Sequence, residues 1–140
     1  MNVKINELMS TLVVTAQPHH SVEHVRAMLH KNNINSVPVV DTDGHPVGMV
    51  SAIDLAGNHK PGSPVNKIMS EHVYTVPQYD DISIAARIMR NHRIHHVVVT
   101  NEQKVVGMVS AYDLLKLVED HRFVAKNAPT PSKRKGTKRF

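Results

Sequence analysis

The chain contains two copies of one unit of about 60 residues, and this repetition constrains its fold more than any other feature of the sequence. Residues 47–55 read VGMVSAIDL and residues 106–114 read VGMVSAYDL, so eight of nine positions are identical. A shift of 60 residues aligns eight further positions of the first copy with identical residues of the second. The copies fill residues 1–60 and 61–120, and the segment Lys60-Pro61-Gly62-Ser63-Pro64 joins them.

Each copy is predicted to begin with a strand and a helix. The apolar runs 12–16 and 72–76 predict the strands, which end at Pro18 and Pro77. Apolar residues at helical spacing follow each strand. Ser21 is predicted to cap the first of these helices, and Asp80 or Asp81 the second. The apolar stripes are Val22, Val25, Met28 and Leu29 in the first copy, and Ile82, Ala85, Ile88 and Met89 in the second.

The rest of each copy predicts a β-hairpin and a final helix. The β-branched runs at 37–40 and 97–100 predict the first strand of the hairpin. A polar turn follows, and the second strand is predicted at 47–50 and 105–109. Ser51 and Ser110 are placed to open the last helices. The order strand, helix, strand, strand, helix implies an α/β fold with a mixed sheet, also classed as α+β, in each copy. Since one such sheet is too small to be stable alone, we expect the copies to pack about a pseudo-twofold axis, leaving two clefts between them.

Charge separates the last 20 residues from the repeats. All 12 acidic residues lie within 1–120, whereas residues 121–140 hold seven Lys or Arg and no acid. This basic tail, with its Pro, Ser and Gly, is predicted to be disordered. It either tethers nucleic acid or an acidic partner, or only aids solubility. The absence of Cys and of any apolar run long enough to cross a membrane indicates a cytoplasmic protein without a membrane partner.

The most informative segments are Ser51-Ala-Ile-Asp54 and Ser110-Ala-Tyr-Asp113, each preceded by a strand that contains a glycine. A glycine without a Cβ allows another group to approach the strand. The N–H groups at a helix start favour a phosphate, and a carboxylate one turn later can accept the hydroxyls of a ribose. The same spacing is also close to a capping box, which needs no ligand. Both interpretations remain open at this point.

The doubled unit resembles the CBS domain pair, or Bateman module, whose motif is Gly, hydrophobic, any residue, Ser or Thr, two residues, Asp. Both copies fit this motif, and the resemblance covers about 118 of 140 residues. It implies two clefts that bind adenine-containing ligands, each built from both repeats. The resemblance assigns Val14, Ile34, Asn35, Ser110 and Asp113 to one cleft. It assigns Tyr74, Ile94, His95, Ser51 and Asp54 to the other.

The resemblance also implies how such a module works. Adenylate-sensing members carry a His and an Arg toward phosphates where this chain has His95 and His96. The implied function is a non-catalytic regulatory module that needs no cofactor, binds AMP, ADP, ATP or S-adenosylmethionine, and signals to an unknown partner. A homodimer is implied as well, with contacts from Leu114, Leu115, Leu117 and Val118, although core packing explains these residues equally well. The alternative is a ligand-free interaction scaffold that acts through the basic tail.

Eleven histidines suggest a metal site, but their spacing does not favour one. His20 and His24 are four residues apart, and His92, His95 and His96 cluster after a predicted helix. Neither group has a Cys or Glu at a spacing that would complete a zinc site. We therefore expect surface or phosphate-facing histidines and no metal. No nucleophile, base and orienting acid fall together either, so the sequence indicates no enzyme activity.

Overall fold

The computed structural model of the chain describes residues 3–120, and it has the predicted mixed α/β architecture. The first half holds α1 (Ile5–Leu8), α2 (Val22–Asn32), β1 (Ser36–Val40), β2 (Pro46–Ser51) and α3 (Ala52–Leu55). The second half holds a 3-10 turn (Val65–Lys67), β3 (Thr75–Pro77), α4 (Ile82–His92), β4 (His96–Asn101), β5 (Lys104–Ser110) and α5 (Ala111–Asp120).

The two long helices α2 and α4 begin at predicted capping residues and end in the same way. The Ser21 hydroxyl accepts the N–H of His24 at 3.0 Å, and the Asp81 carboxylate accepts that of Ser83 at 2.9 Å. Asp81, not Asp80, is thus the cap of α4. Each helix ends at a residue in the left-handed region, Asn33 with φ 53° and Arg93 with φ 55°.

The second repeat has the predicted three-stranded mixed sheet. β3 is parallel to β4, and β4 is antiparallel to β5. The first strand lies later than predicted, at Thr75–Pro77 instead of 72–76, although the N–H of Val98 also donates to the carbonyl of Tyr74 at 3.1 Å. This bond aligns the residues before β3 with β4.

The predicted strand over 12–16 is wrong except for its last residue. β1 and β2 form a two-stranded sheet, and only Ala16 forms a parallel bridge, to Val39. The cause is Pro38, which takes the position of Val98 in the first repeat. Because proline has no N–H, the bond that Val98 donates to Tyr74 has no counterpart between Pro38 and Val14.

The two hydrophobic cores exchange short segments, which the sequence did not indicate. Ile5 of α1 is fully buried in the core of the second repeat, with Val76 and Ile82. Val65 of the 3-10 turn is fully buried in the core of the first repeat, with Val22 and Val50. Each repeat therefore completes its core with residues that precede the other repeat's first strand.

The glycine of each motif is where the exchanged segment crosses the sheet. A Cβ built on Gly48 would lie 2.9 Å from the carbonyl oxygen of Ser70, and one built on Gly107 would lie 2.9 Å from that of Ser10. At the next residues, Met49 exchanges two backbone hydrogen bonds with Ser70, and Met108 does so with Ser10. The expected close approach at these glycines is thus made by the chain itself.

The predictions for the basic tail fall on residues 121–140, outside the described part of the chain. Between residues 3 and 120, no helix combines the length and the apolar character that crossing a membrane requires.

Candidate functional site

Two clefts lie between the repeats, and each has one wall from either repeat. Cleft A has a volume of about 720 Å³. One wall is the start of α3, and the other consists of residues just before β3 and residues at the start of β4. Cleft B has a volume of about 540 Å³ and joins the start of α5 to residues 10–14 and the start of β1. Both volumes are within the range of small-molecule sites, which is about 300–1,000 Å³.

The structure brings together every residue in the two predicted sets. Cleft A is lined by Ser51, Asp54, Tyr74, Ile94, His95 and His96. Cleft B is lined by Val14, Ile34, Asn35, Ser110 and Asp113. His96 also reaches cleft B, and Asn35 also reaches cleft A, so these two side chains lie where the clefts meet.

The Ser and Asp of each motif form a complete capping box. The Asp54 backbone N–H donates to the Ser51 hydroxyl at 3.2 Å, and the Ser51 N–H donates to Oδ2 of Asp54 at 2.9 Å. Asp113 and Ser110 form the same pair at 3.0 and 2.8 Å. The capping interpretation is therefore correct for both copies. It uses one oxygen of each carboxylate, and the second oxygen has no hydrogen bond within residues 3–120.

His96 is a half-buried imidazole at the start of β4, opposite Ser110 in the sheet register. Burial lowers the pKa of His96, the neighbouring His95 lowers it further, and Asp113 acts in the opposite direction. Because its ordinary pKa is about 6.5 and its surroundings lower it, the neutral form of the side chain predominates at pH 7, and a nearby anion would favour the protonated form. His96 is thus a conditional positive charge at the border of the two clefts.

Sequence reasoning missed Arg93 and His72, both of which line cleft A, and Tyr112, which lines cleft B. His72 packs edge-on against Tyr74, whose hydroxyl lies 3.1 Å from Nδ1 of His92. A comparison of the copies at each lining position would have identified Arg93 and His72, since a shift of 60 residues relates them to Asn33 and Leu12.

His20 and His24, one of the two histidine groups in the sequence, pack against each other at the start of α2. His20 and His24 have ring centroids 4.5 Å apart, and Nδ1 of His20 accepts the backbone N–H of Gln17 at 2.9 Å. Burial lowers the pKa of His20, and the adjacent His24 and His19 lower it further. Because Nδ1 of His20 already accepts this N–H, the His20 ring stabilises the turn that precedes α2.

A different group of side chains could hold a cation, and the spacing of the histidines did not indicate it. Asp41, Asp43 and His45 lie at the β1–β2 turn, with one potential ligand atom from each within 4.8 Å of the others. Oδ1 of Asp41 accepts the backbone N–H groups of Asp43 and His45, both at 2.9 Å. The His45 N–H is the main reason that the pKa of Asp41 is lowered. These bonds give the cluster a structural function in the turn.

Comparison with known proteins identifies the repeated unit. The profile of the CBS domain family matches residues 5–58 and again residues 65–120. Protein MJ1404 of Methanocaldococcus jannaschii is 31% identical over 137 residues, which cover 85% of this chain and 32% of that protein. An inosine-5'-monophosphate dehydrogenase of Halobacterium salinarum is 34% identical over 107 residues, 74% of this chain and 21% of the enzyme. The chain therefore spans a third or less of these two relatives.

A solved structure has the same arrangement. The CBS domain pair of protein MJ0100 superposes with a TM-score of 0.76 and 26% identity, covering 85% of this chain and 98% of that pair. That structure is a complex with 5'-methylthioadenosine and S-adenosyl-L-methionine. CBS domain pairs are typically regulatory, and in the dehydrogenase the matching segment is a small part of the whole enzyme.

Proposed function

The chain belongs to the CBS domain family, and on that premise we propose that it is a non-catalytic regulatory module that binds an adenosine-containing ligand between its repeats. The candidates are AMP, ADP, ATP and S-adenosylmethionine, bound as regulatory ligands and not as cofactors. The bound form of MJ0100 supports adenosine-containing ligands as a class. The division into repeats 1–60 and 61–120, the tail 121–140 and a cytoplasmic location are part of the same proposal.

The observation that carries this proposal is the composition of each cleft. Apolar residues for an adenine, such as Ile94 and Tyr74, face a carboxylate from the other repeat, Asp54. The carboxylate oxygen that the capping box leaves unused can accept a ribose hydroxyl. Cleft B repeats the arrangement with Ile34, Val14 and Asp113. A ligand in either cleft therefore contacts both repeats.

Contact with both repeats provides a means of regulation. A ligand that fits one relative orientation of the repeats better than another shifts the population toward it, and a partner that distinguishes the orientations detects the shift. We propose that this partner is another protein. We further propose a homodimer through α5, where Leu115 and Val118 are 59% and 56% exposed while Leu114 and Leu117 pack against the core of the second repeat.

The test separates the ligand function of the carboxylates from their capping function. Replacement of Asp54 or Asp113 by Ala would remove both functions at once, because each carboxylate also accepts the backbone N–H of its capping serine. Asp54→Glu and Asp113→Glu keep a carboxylate that capping boxes normally use, but move it one methylene further. Thermal unfolding of the wild type and both variants is measured with AMP, ADP, ATP, S-adenosylmethionine and adenosine.

A ligand at 100 times its Kd stabilises the folded state by about 2.7 kcal/mol, which raises the Tm of a domain this size by several degrees. We expect such a shift in the wild type, and its loss in the Glu variant of the occupied cleft, with the unliganded Tm nearly unchanged. If no adenosine compound shifts the Tm of the folded wild type, the proposal is wrong. The alternative is then a ligand-free scaffold that acts through the basic residues 121–140.

A further inference from the structure

The two clefts are built from corresponding segments of the repeats but differ in electrostatic character. A shift of 60 residues relates one wall of cleft A to one wall of cleft B, position by position. The backbone conformation matches at one pair of these positions, with φ angles of 53° at Asn33 and 55° at Arg93. The side chains differ: His72, Arg93, His95 and His96 in cleft A correspond to Leu12, Asn33, Asn35 and Ser36 in cleft B.

The opposite walls do not compensate for this difference. Each contributes one carboxylate, Asp54 in cleft A and Asp113 in cleft B. The charge of Arg93 balances that of Asp54, and His72, His95 and His96 add ring nitrogens that can hydrogen-bond to an anion. Cleft B has only the charge of Asp113, apart from His96 at its border. Cleft A can therefore accept an anion more readily than cleft B.

Arg93 and His95 of cleft A are available to a ligand. Arg93 is exposed, and within residues 3–120 its guanidinium forms no ion pair or hydrogen bond. His95 is exposed as well, and its backbone carbonyl, not its ring, accepts the N–H of Ala111. A guanidinium offers five N–H donors that fit phosphate oxygens, and the ring N–H of an imidazole adds another.

From this asymmetry we infer that cleft A selects phosphate-bearing adenine nucleotides, whereas cleft B takes adenosine derivatives that carry no phosphate. The inference rests on the proposed function, which it refines by assigning a ligand class to each cleft. The phosphate lies against Arg93, His95 and His96, and the ribose lies toward Asp54. In cleft B the carboxylate of Asp113 favours a neutral or positively charged group at the equivalent place.

The experiment uses the copies as controls for each other. AMP and adenosine are titrated by calorimetry into the full chain and into Arg93→Asn, which introduces the residue of the first repeat. Arg87→Asn removes the same charge from the exposed face of α4, away from the clefts. We expect the wild type to bind AMP more tightly than adenosine. We expect Arg93→Asn to weaken AMP binding about tenfold and adenosine binding less than twofold, and Arg87→Asn to change neither.

The methyl groups of Ile34 and Ile94 identify the occupied cleft, since Ile34 lines cleft B and Ile94 lines cleft A. In NMR spectra, AMP should shift the Ile94 resonances first. The reverse order, equal affinity for AMP and adenosine, or an equal loss of both in Arg93→Asn would overturn the inference while the proposed function stands. If neither compound binds the folded wild type, this refinement fails, and the proposed function fails with it only if ADP, ATP and S-adenosylmethionine do not bind either.

Discussion

Replacing either motif glycine by alanine tests whether the exchanged segments hold the repeats together. In Gly48→Ala the new Cβ would lie 2.5 Å from Sδ of Met69 and 2.9 Å from the carbonyl oxygen of Ser70. The thioether can move, but the carbonyl belongs to backbone that is hydrogen-bonded to Met49 in both directions. Gly107→Ala meets Met9 and Ser10 at the same two distances. Both substitutions should therefore displace the segment that crosses the sheet.

The expected cost combines two opposing effects. Overpacking destabilises by about 1–3 kcal/mol. The lower entropy of the unfolded chain with alanine returns about 0.4–1 kcal/mol. The net loss of about 1–2 kcal/mol lowers the Tm by about 4–8 °C for a domain of this size. Differential scanning calorimetry measures the change directly.

Gly62→Ala is the matched control, because nothing lies within 4 Å of the place its new Cβ would take and the φ of Gly62 is not positive. This variant should melt at or slightly above the wild-type temperature. If Gly48→Ala and Gly107→Ala melt within a degree of Gly62→Ala, the close approach of the crossing segments does not exist as described. The explanation for the glycines would then have to come from a ligand.

Three further predictions concern protons, strand pairing and assembly. Because the folded pKa values of His96 and His20 are lowered from about 6.5, the unfolded chain binds more protons, so stability should fall as the pH drops below about 6.5. Urea unfolding between pH 5 and 8 measures this dependence, and His96→Ser should flatten it; an unchanged slope would contradict the assignment. Pro38→Val should create an N–H at residue 38 that exchanges slowly with solvent, with a stability change below about 1 kcal/mol, and rapid exchange would show that the ladder does not extend to Val14. The double substitution Leu115→Lys and Val118→Lys should halve the mass measured by light scattering, from that of a dimer to that of a monomer, without lowering the Tm of the monomer. An unchanged mass would exclude α5 as the interface.

The sequence predicted the hairpins and the long helices because these depend on local patterns and on the repeat, whereas both cleft sets came from the resemblance to the CBS domain pair. It did not predict the exchange of Ile5 and Val65. The elements that carry these residues are only four and three residues long, too short for a periodic signal. A duplicated sequence also fits either core equally well, so local pattern cannot assign each segment to a repeat. Only the three-dimensional packing separates the two possibilities.

The first strand of the first repeat was open to a better prediction. Pro38 lies in β1, and a proline inside a sheet removes one donor to the neighbouring strand. A comparison with Val98 would have predicted the loss of pairing at Val14. The Ser-x-x-Asp motifs are different, since a cap and a ribose site require the same residues at the same spacing. The structure shows that the cap forms and that it uses one oxygen of each carboxylate.

Arg93 is the residue at which fold and function make opposite demands. It ends α4 in the left-handed region with φ 55°, where Asn33 stands in the first repeat. This conformation costs most residues about 1–2 kcal/mol, and Asn adopts it more readily than Arg. Arg93→Asn should therefore raise the Tm of the unliganded chain while it weakens nucleotide binding. If Arg93→Asn lowers both the Tm and the affinity, Arg93 supports the fold. Its presence in cleft A would then be explained by stability and not by a preference for phosphate.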